Sequence, residues 1–343
     1  MIPVDLLEFG WFTIFVILLV GYAILDGFDL GVGMLHLFAK NDEERRIMLN
    51  SIGPVWDGNE VWFLTAGGAL FAGFPDIYAT VMSGFYIPVM LLLFGLIFRA
   101  VAIEFRSKQP MLWWRWTWDI AFFLGSLLIA FILGVALGNL IRGIPVDAQK
   151  EFVGDLTTLL NPYALLIGLL TVLLFAMHGS IYTLVKTEGE LHDRMRYRCV
   201  KCIIAFVVVY AVSTLATLIY MPHMIQAFHD RPIFFLVAIC NVLLIANIPR
   251  EIFFGRDMRA FLSSCGNIAC LLALYAIGTY PDVVRSTLDP VHWSLTIYNA
   301  ASSKLTLEIL FLIALIGMPL VIAYTVAVYT IFRGKVKMDH HSY

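Results

Sequence analysis

"IAFFLGSLLIAFILGVALGNLI", residues 120–141, runs for twenty-two residues without a charge. As a helix rising 1.5 Å per residue it is about 33 Å long, enough to cross the hydrocarbon core of a bilayer. Working outward, uncharged runs recur at 77–98, 156–185, 202–229, 232–249, 260–281 and 309–332, none shorter than 18 residues. Two shorter apolar runs, 9–25 and 61–75, are bordered by Asp26 and by Asp57 and Glu60. Counting both predicts about nine transmembrane helices. The apolar blocks do not alternate with polar residues, and lipid requires each backbone group to bond within its own segment, so helices are predicted and a barrel is not.

Composition agrees: 60% of the 343 residues are hydrophobic and 14% charged, where a soluble domain carries roughly a quarter charged. The expected architecture is an all-α polytopic membrane protein with two four-helix bundles and one peripheral helix. The first bundle occupies 1–141, and the second, with the peripheral helix and a short tail, 142–343. The basic stretch "KTEGELHDRMRYRCVK" at 186–201 reads as the longest loop. No cleavable leader is expected, because the first span lacks basic residues ahead of it.

Seventeen Lys and Arg, in groups around 40–46, 106–115, 186–201, 250–259 and 333–337, fall on one side of these spans. Five (Arg142, Lys150, Arg231, Arg285, Lys304) fall on the other. The positive-inside rule then places the C-terminus in the cytoplasm and the N-terminus outside. The net charge of −2 and the lack of basic stretches mixed with exposed aromatics give no sign of nucleic-acid binding. A lone C-x2-C at Cys199 and Cys202, without a second ligand pair, gives no metal site.

Several charges lie inside the greasy segments. Asp26 and Asp29 are three apart, so they share a helix face, and at 1.5 Å per residue they are expected about 16 to 21 Å from the basic edge at Lys40, deep in the membrane. Asp57 and Glu60 open the second span, Arg99 lies in the third, and Asp119 opens the fourth. An ionisable group within a membrane is costly and marks function by default. Carboxylates balanced between burial and a nearby arginine can take and release protons near neutral pH, so Asp57, Asp26, Asp29 and Glu60 are candidate proton carriers. Arg99 and Asp119 are candidate structural charges, and the plainer alternative is that Arg99 only neutralises acids to hold the bundle together. Gly27 with Gly31, and Gly68 with Ala72, have the small-x-x-x-small spacing that lets helices approach closely. His178 in the fifth span could suit a haem ligand or a proton relay, but with no second axial ligand in view a hydrogen-bonded interior imidazole is the expectation. The tail pair His340 and His341 is expected to be solvated.

"ILDGFDLGVGML" (24–35), "NSIGPVWDGNEVWFLTAGGALFAGFP" (50–75), "GFYIPVMLLLFGLIFRAVAIEFR" (84–106), "GNLIRGIPVD" (138–147) and "SLTIYNAASSKLTL" (294–307) resemble subunit II of the cytochrome bd-type quinol oxidases. The resemblance implies a respiratory terminal oxidase of the prokaryotic cell membrane that takes electrons from quinol and reduces dioxygen to water without a dedicated proton pump. It implies haem b and haem d in a larger partner, subunit I, arranged with this chain as a pseudo-symmetric heterodimer in membrane lipid. It also implies a small single-helix accessory subunit and allows a structural quinone in this chain. The acid of "WDGN", Asp57, matches the family's proton route, with Asp26 and Asp29 of "DGFD" as neighbours. Glu60 comes from the residue reading alone. Two other functions would want similar acids or helices: a proton-coupled secondary transporter, disfavoured by the lack of visible inverted repeats, and a scaffold that carries no protons.

Overall fold

The computed structural model describes residues 3–337, so His340 and His341 lie outside the described residues. The chain opens with α1 (Val4–Leu35), followed by α2 (Asp42–Ile52), α3 (Trp56–Gly73), α4 (Pro75–Gly84), α5 (Tyr86–Phe105) and α6 (Leu112–Arg142). It continues through α7 (Leu156–Leu159), α8 (Pro162–Lys186), α9 (Gly189–Tyr220), α10 (His223–Asp230), α11 (Phe235–Phe253) and α12 (Asp257–Thr279). A short ribbon of β1 (Asp282–Val284) and β2 (Leu295–Thr296) precedes α13 (Lys304–Ile331). Among the described residues eight helices are long and apolar enough to cross a membrane: α1, α5, α6, α8, α9, α11, α12 and α13.

Eighteen residues long, α3 begins with Trp-Asp-Gly-Asn-Glu, which lowers its mean hydropathy. It nevertheless lies antiparallel along α1. Asn59 reaches the Leu25 carbonyl, Trp62 packs on Gly21, and the Trp11 indole donates to the Ala69 carbonyl at 2.9 Å. Those contacts take in α1 from about Trp11 to Asp29, roughly 27 Å of helix.

Three expectations are corrected. The uncharged run at 77–98 is not one helix: Phe85, at φ −97° and ψ 25°, separates α4 from α5. The basic stretch at 186–201 is not a loop; its Glu, Leu, Met, Arg and Lys are good helix formers, and from Gly189 onward they extend α9 beyond the apolar part. Finally, α1 stops at Leu35 and a 3-10 turn follows, so Asp26 and Asp29 stand about 9 to 14 Å from the end of their helix, nearer the boundary than continuous helix to Lys40 would put them.

Glycine decides where helices touch. A Cβ on Gly31 would lie 2.0 Å from the Phe175 carbonyl oxygen, and one on Gly179 would lie 2.4 Å from the Gly31 carbonyl carbon, so α1 and α8 meet backbone to backbone. With no hydrophobic drive between helices in lipid, such close packing and interhelical hydrogen bonds carry the association. At 100° per residue, Gly27 and Gly31 point on average about 150° away from Asp26 and Asp29, close to the opposite face. One face of α1 therefore grips α8 and leaves its acids for α3 and α5. By contrast, a Cβ on Gly68 or on its neighbour Gly67 would meet nothing within 4 Å among the described residues.

The two ends differ. At one end the segments following α6 and α12 fold over the helices: Ile144 bridges Ser286, Lys150 reaches Asp76 at 2.5 Å, and Ser302 bonds the Gly73 and Ala72 carbonyls. This is the capped end. At the other, the basic end, α2 and the start of α9 lie against the helix ends, with Tyr182 donating to the Ser51 carbonyl at 2.8 Å. The last helix, α13, packs on α1 through Phe311 against Gly10 and Trp11 and on α3 through Tyr329 at Asn59, yet only its Leu307 is fully buried.

Candidate functional site

Two buried charge clusters occupy the first six helices, each built around an arginine of one strip. Arg99 on α5 and Arg106 in the turn after it are seven residues apart, two helical turns or about 10 Å. The α5–α6 crossing sets Arg99 in place, because Gly125 and Gly95 meet so closely that a Cβ on Gly125 would lie 2.8 Å from the Gly95 carbonyl oxygen and 3.4 Å from the Arg99 amide.

In the inner cluster Arg99 spends both terminal nitrogens on Asp26, Nη1 at 2.8 Å from Oδ2 and Nη2 in still closer contact with Oδ1. Asp29 Oδ2 stands 3.9 Å from Arg99 Nη2 and receives a 2.7 Å hydrogen bond from Asn59 Nδ2. Asp26, Asp29 and Arg99 have no accessible surface, and Asn59 has 2%. The Tyr22 hydroxyl lies beside Asp26, and Tyr329 of α13 donates to Asn59 Oδ1 at 2.9 Å. Glu60, half-buried one residue further on, lies within electrostatic reach of Arg99, Asp26 and Asp57. Asp57 is exposed on the surface of the chain, in the first turn of α3.

The outer cluster sits at the basic end. Asp119 accepts from His36 Nε2 at 2.5 Å, from Arg106 Nε at 2.5 Å and from Arg45 Nη1 at 2.9 Å. Arg106 also reaches Asp42 at 2.8 Å, which Arg115 holds at 3.0 Å. The candidate acids therefore do not form one group. Asp26, Asp29, Glu60 and Arg99 come together with Asp57 at their outer edge, whereas Asp119 belongs to a separate ion-pair lattice.

Sequence reasoning missed Asn59, Tyr329 and the burial of Arg106, which it counted with the basic edge. Asn59 could have been found from its place in "WDGNE" between two acids. Tyr329 carried no signal, since it lies 270 residues from its partner.

Three of the described histidines are held by hydrogen bonds within the chain. His178 has its Nδ1 2.8 Å from Ser264 Oγ, its Nε2 2.9 Å from the Ile24 carbonyl, and its ring stacked on Phe261. Both nitrogens are committed, so the interior-imidazole reading fits. His36 gives Nε2 to Asp119, and His223 gives Nε2 to the Ile141 carbonyl. An apolar cavity of about 380 Å³ does lie among α1, α3, α6, α8, α9 and α12, bordered by Tyr22, Phe63, Tyr163, Tyr210 and Tyr275. It would suit an isoprenoid chain or an acyl tail better than a polar solute.

The sequence profile of the cytochrome bd terminal oxidase subunit II family matches residues 7–332. The chain belongs to this family. Among members of the cytochrome bd subunit II family, it is 35% identical over 370 aligned residues to cytochrome bd-I ubiquinol oxidase subunit 2 of Escherichia coli strain K12, covering 99% of this chain and 97% of that one. It is 37% identical over 330 residues to cytochrome bd ubiquinol oxidase subunit 2 of Bacillus subtilis strain 168, covering 95% and 96%. The fold is similar to that of a chain in the bd oxidase of Geobacillus thermodenitrificans, with a TM-score of 0.80 and 18% identity over 95% of this chain and 98% of that one.

Proposed function

We propose that this chain, as subunit II of a bd-type quinol oxidase, supports the haem-bearing subunit I and takes up cytoplasmic protons for the reduction of dioxygen to water. The observation that carries this reading is the gathering of Asp26, Asp29, Asn59, Glu60 and Arg99 at one level of the helix bundle, with Asp57 exposed beside them. An exposed carboxylate within a greasy surface is expensive unless another protein covers it. About three turns further along α3, Gly67 and Gly68 leave the helix smooth, and α13 shows broad apolar faces. Subunit I would cover this side, and protons would pass between Glu60, the inner acids and Asp57 on their way to it. Arg99 and Asp119 act as structural charges.

In this reading α3 is a ninth span, α13 is the peripheral helix, and the chain divides near 141 into two bundles. The basic end faces the cytoplasm, so the N-terminus is outside and the C-terminus inside a prokaryotic cell membrane. Haem b and haem d belong to subunit I, consistent with the committed nitrogens of His178. A structural quinone would take the apolar cavity, and a single-helix accessory subunit would complete the complex. Membership of an oxidase family weighs against a solute transporter. The scaffold reading is separated by kinetics: quinol-dependent oxygen uptake per haem is measured for Asp57→Asn, Glu60→Gln and Asp29→Asn. Wild-type rates in all three would leave this chain a scaffold. A visible spectrum of the co-purified complex with b- and d-type bands checks the assembly.

A further inference from the structure

Two carboxylates and one guanidinium meet at the inner cluster, all without accessible surface. Fully ionised, they leave one negative charge unbalanced in a region of low dielectric, where an uncompensated ion is strongly disfavoured and a carboxylate tends to bind a proton. The hydrogen bonds distinguish which carboxylate does so. Asp26 uses both oxygens on the two terminal nitrogens of Arg99, a planar fork facing a planar fork. A proton on Asp26 would give up charge-assisted bonds and leave Arg99 facing a neutral acid. Asp29 is held differently. Its Oδ2 takes the bond from Asn59, while its Oδ1 is buried with no hydrogen-bond partner among the described residues. A proton on Oδ1 breaks nothing, because Oδ2 still accepts from Asn59.

Asn59 can only donate to Asp29. Its Nδ2 also donates to the Leu25 carbonyl at 3.2 Å, which can only accept, and its Oδ1 accepts the Tyr329 hydroxyl at 2.9 Å. Turning the amide over would set its oxygen against the Leu25 oxygen. Tyr329 thereby brings α13, a helix otherwise loosely seated, into the fixing of Asp29.

We infer that Asp29 is the carboxylate of this chain that binds and releases the proton, at Oδ1, with Asn59 and Tyr329 as its positioning residues, while Asp26 stays ionised as the permanent partner of Arg99. The step makes and breaks only an O–H bond at Oδ1, the proton coming from and leaving to a neighbouring carboxylate or water, and no electrons move. The inference rests on the proton-uptake reading above and assigns its buried carrier.

The test is infrared difference spectroscopy of the intact purified complex, together with oxygen uptake per haem. A deuterium-sensitive carboxylic acid C=O band is expected in the wild type and absent in Asp29→Asn, with turnover lowered about 10-fold or more, a conservative figure for a positioned proton-transferring group. The double variant Asp26→Asn/Arg99→Gln, which removes both partners of the ion pair and so avoids stranding either charge, is expected to keep the band. Tyr329→Phe is expected to keep the band, move its frequency and displace the pH profile of turnover, which a merely structural hydroxyl would not do. A band that survives in Asp29→Asn, or is lost in the double variant, overturns the inference. If Asp29→Asn turns over normally while Asp57→Asn or Glu60→Gln is slow, the assignment of Asp29 falls and proton uptake stands; if none of the three is slow, the proton-uptake reading itself falls.

Discussion

Arg106 Nε donates to Asp119 Oδ1 at 2.5 Å, with side-chain exposures of 2% and 0%. The pair joins the turn after α5 to α6, and His36 and Arg45 add, respectively, the turn after α1 and helix α2 to the same carboxylate. One aspartate thus ties four segments at the basic end.

Removing that carboxylate takes the shared acceptor from His36, Arg45 and Arg106 and leaves Arg106 only its bond to the half-exposed Asp42. Breaking one side of a buried ion pair costs about 3–5 kcal/mol. Asp119→Leu is therefore expected to lower the yield and thermal stability of the complex, while any complex that assembles keeps near-normal turnover per haem. Thermal denaturation beside a haem-normalised assay checks both halves of that expectation.

The Asp57 side chain has no hydrogen bond or ion pair among the described residues. Asp57→Asn is isosteric, so assembly and haem spectra are expected to be unchanged, with quinol-dependent oxygen uptake down by about 10-fold. Unchanged turnover would remove Asp57 from the proton route.

Gly31 sits where a methyl group would strike the Phe175 carbonyl. Backbone cannot move aside as a flexible side chain can, so Gly31→Ala is expected to cost at least the roughly 1–3 kcal/mol of an overpacked core. The loss should appear as reduced membrane accumulation of the complex, rescued in part by growth at lower temperature.

His223, at the capped end and outside the spans, has an imidazole held below its ordinary pKa, chiefly by burial and further by Arg285; the Ile141 carbonyl and Asp282 act in the opposite sense. The folded protein then binds fewer protons than the unfolded chain, so stability is held above the ordinary imidazole range near about 6.5 and lost as pH falls through it. His223→Gln keeps a donor for the Ile141 carbonyl and removes the titration. Melting temperatures compared between about pH 7.5 and pH 5 should fall less in the variant than in the wild type.

Much of this was legible in residue order. The uncharged runs located eight of the helices, and "DGFD" and "WDGNE" marked the acids of the inner cluster. What escaped was pairing. Arg106 looked like one more basic-edge residue, because hydropathy records how many charges a segment carries and says nothing of which face of the helix they occupy. The break at Phe85 was hidden for a related reason: an apolar run looks the same whether it is one helix or two.

By itself, then, the sequence determined that this protein lives in a membrane as helices and that acids enter those helices near one end, because transfer out of water is a sum over local residues. Only the tertiary structure decided that Arg99 belongs to Asp26, that Asp29 depends on Asn59 and on a tyrosine from the last helix, and that Asp119 stands apart. Those outcomes follow from helix rotation and from glycine-to-glycine approach, which bring distant residues within 3 Å of one another or keep them apart.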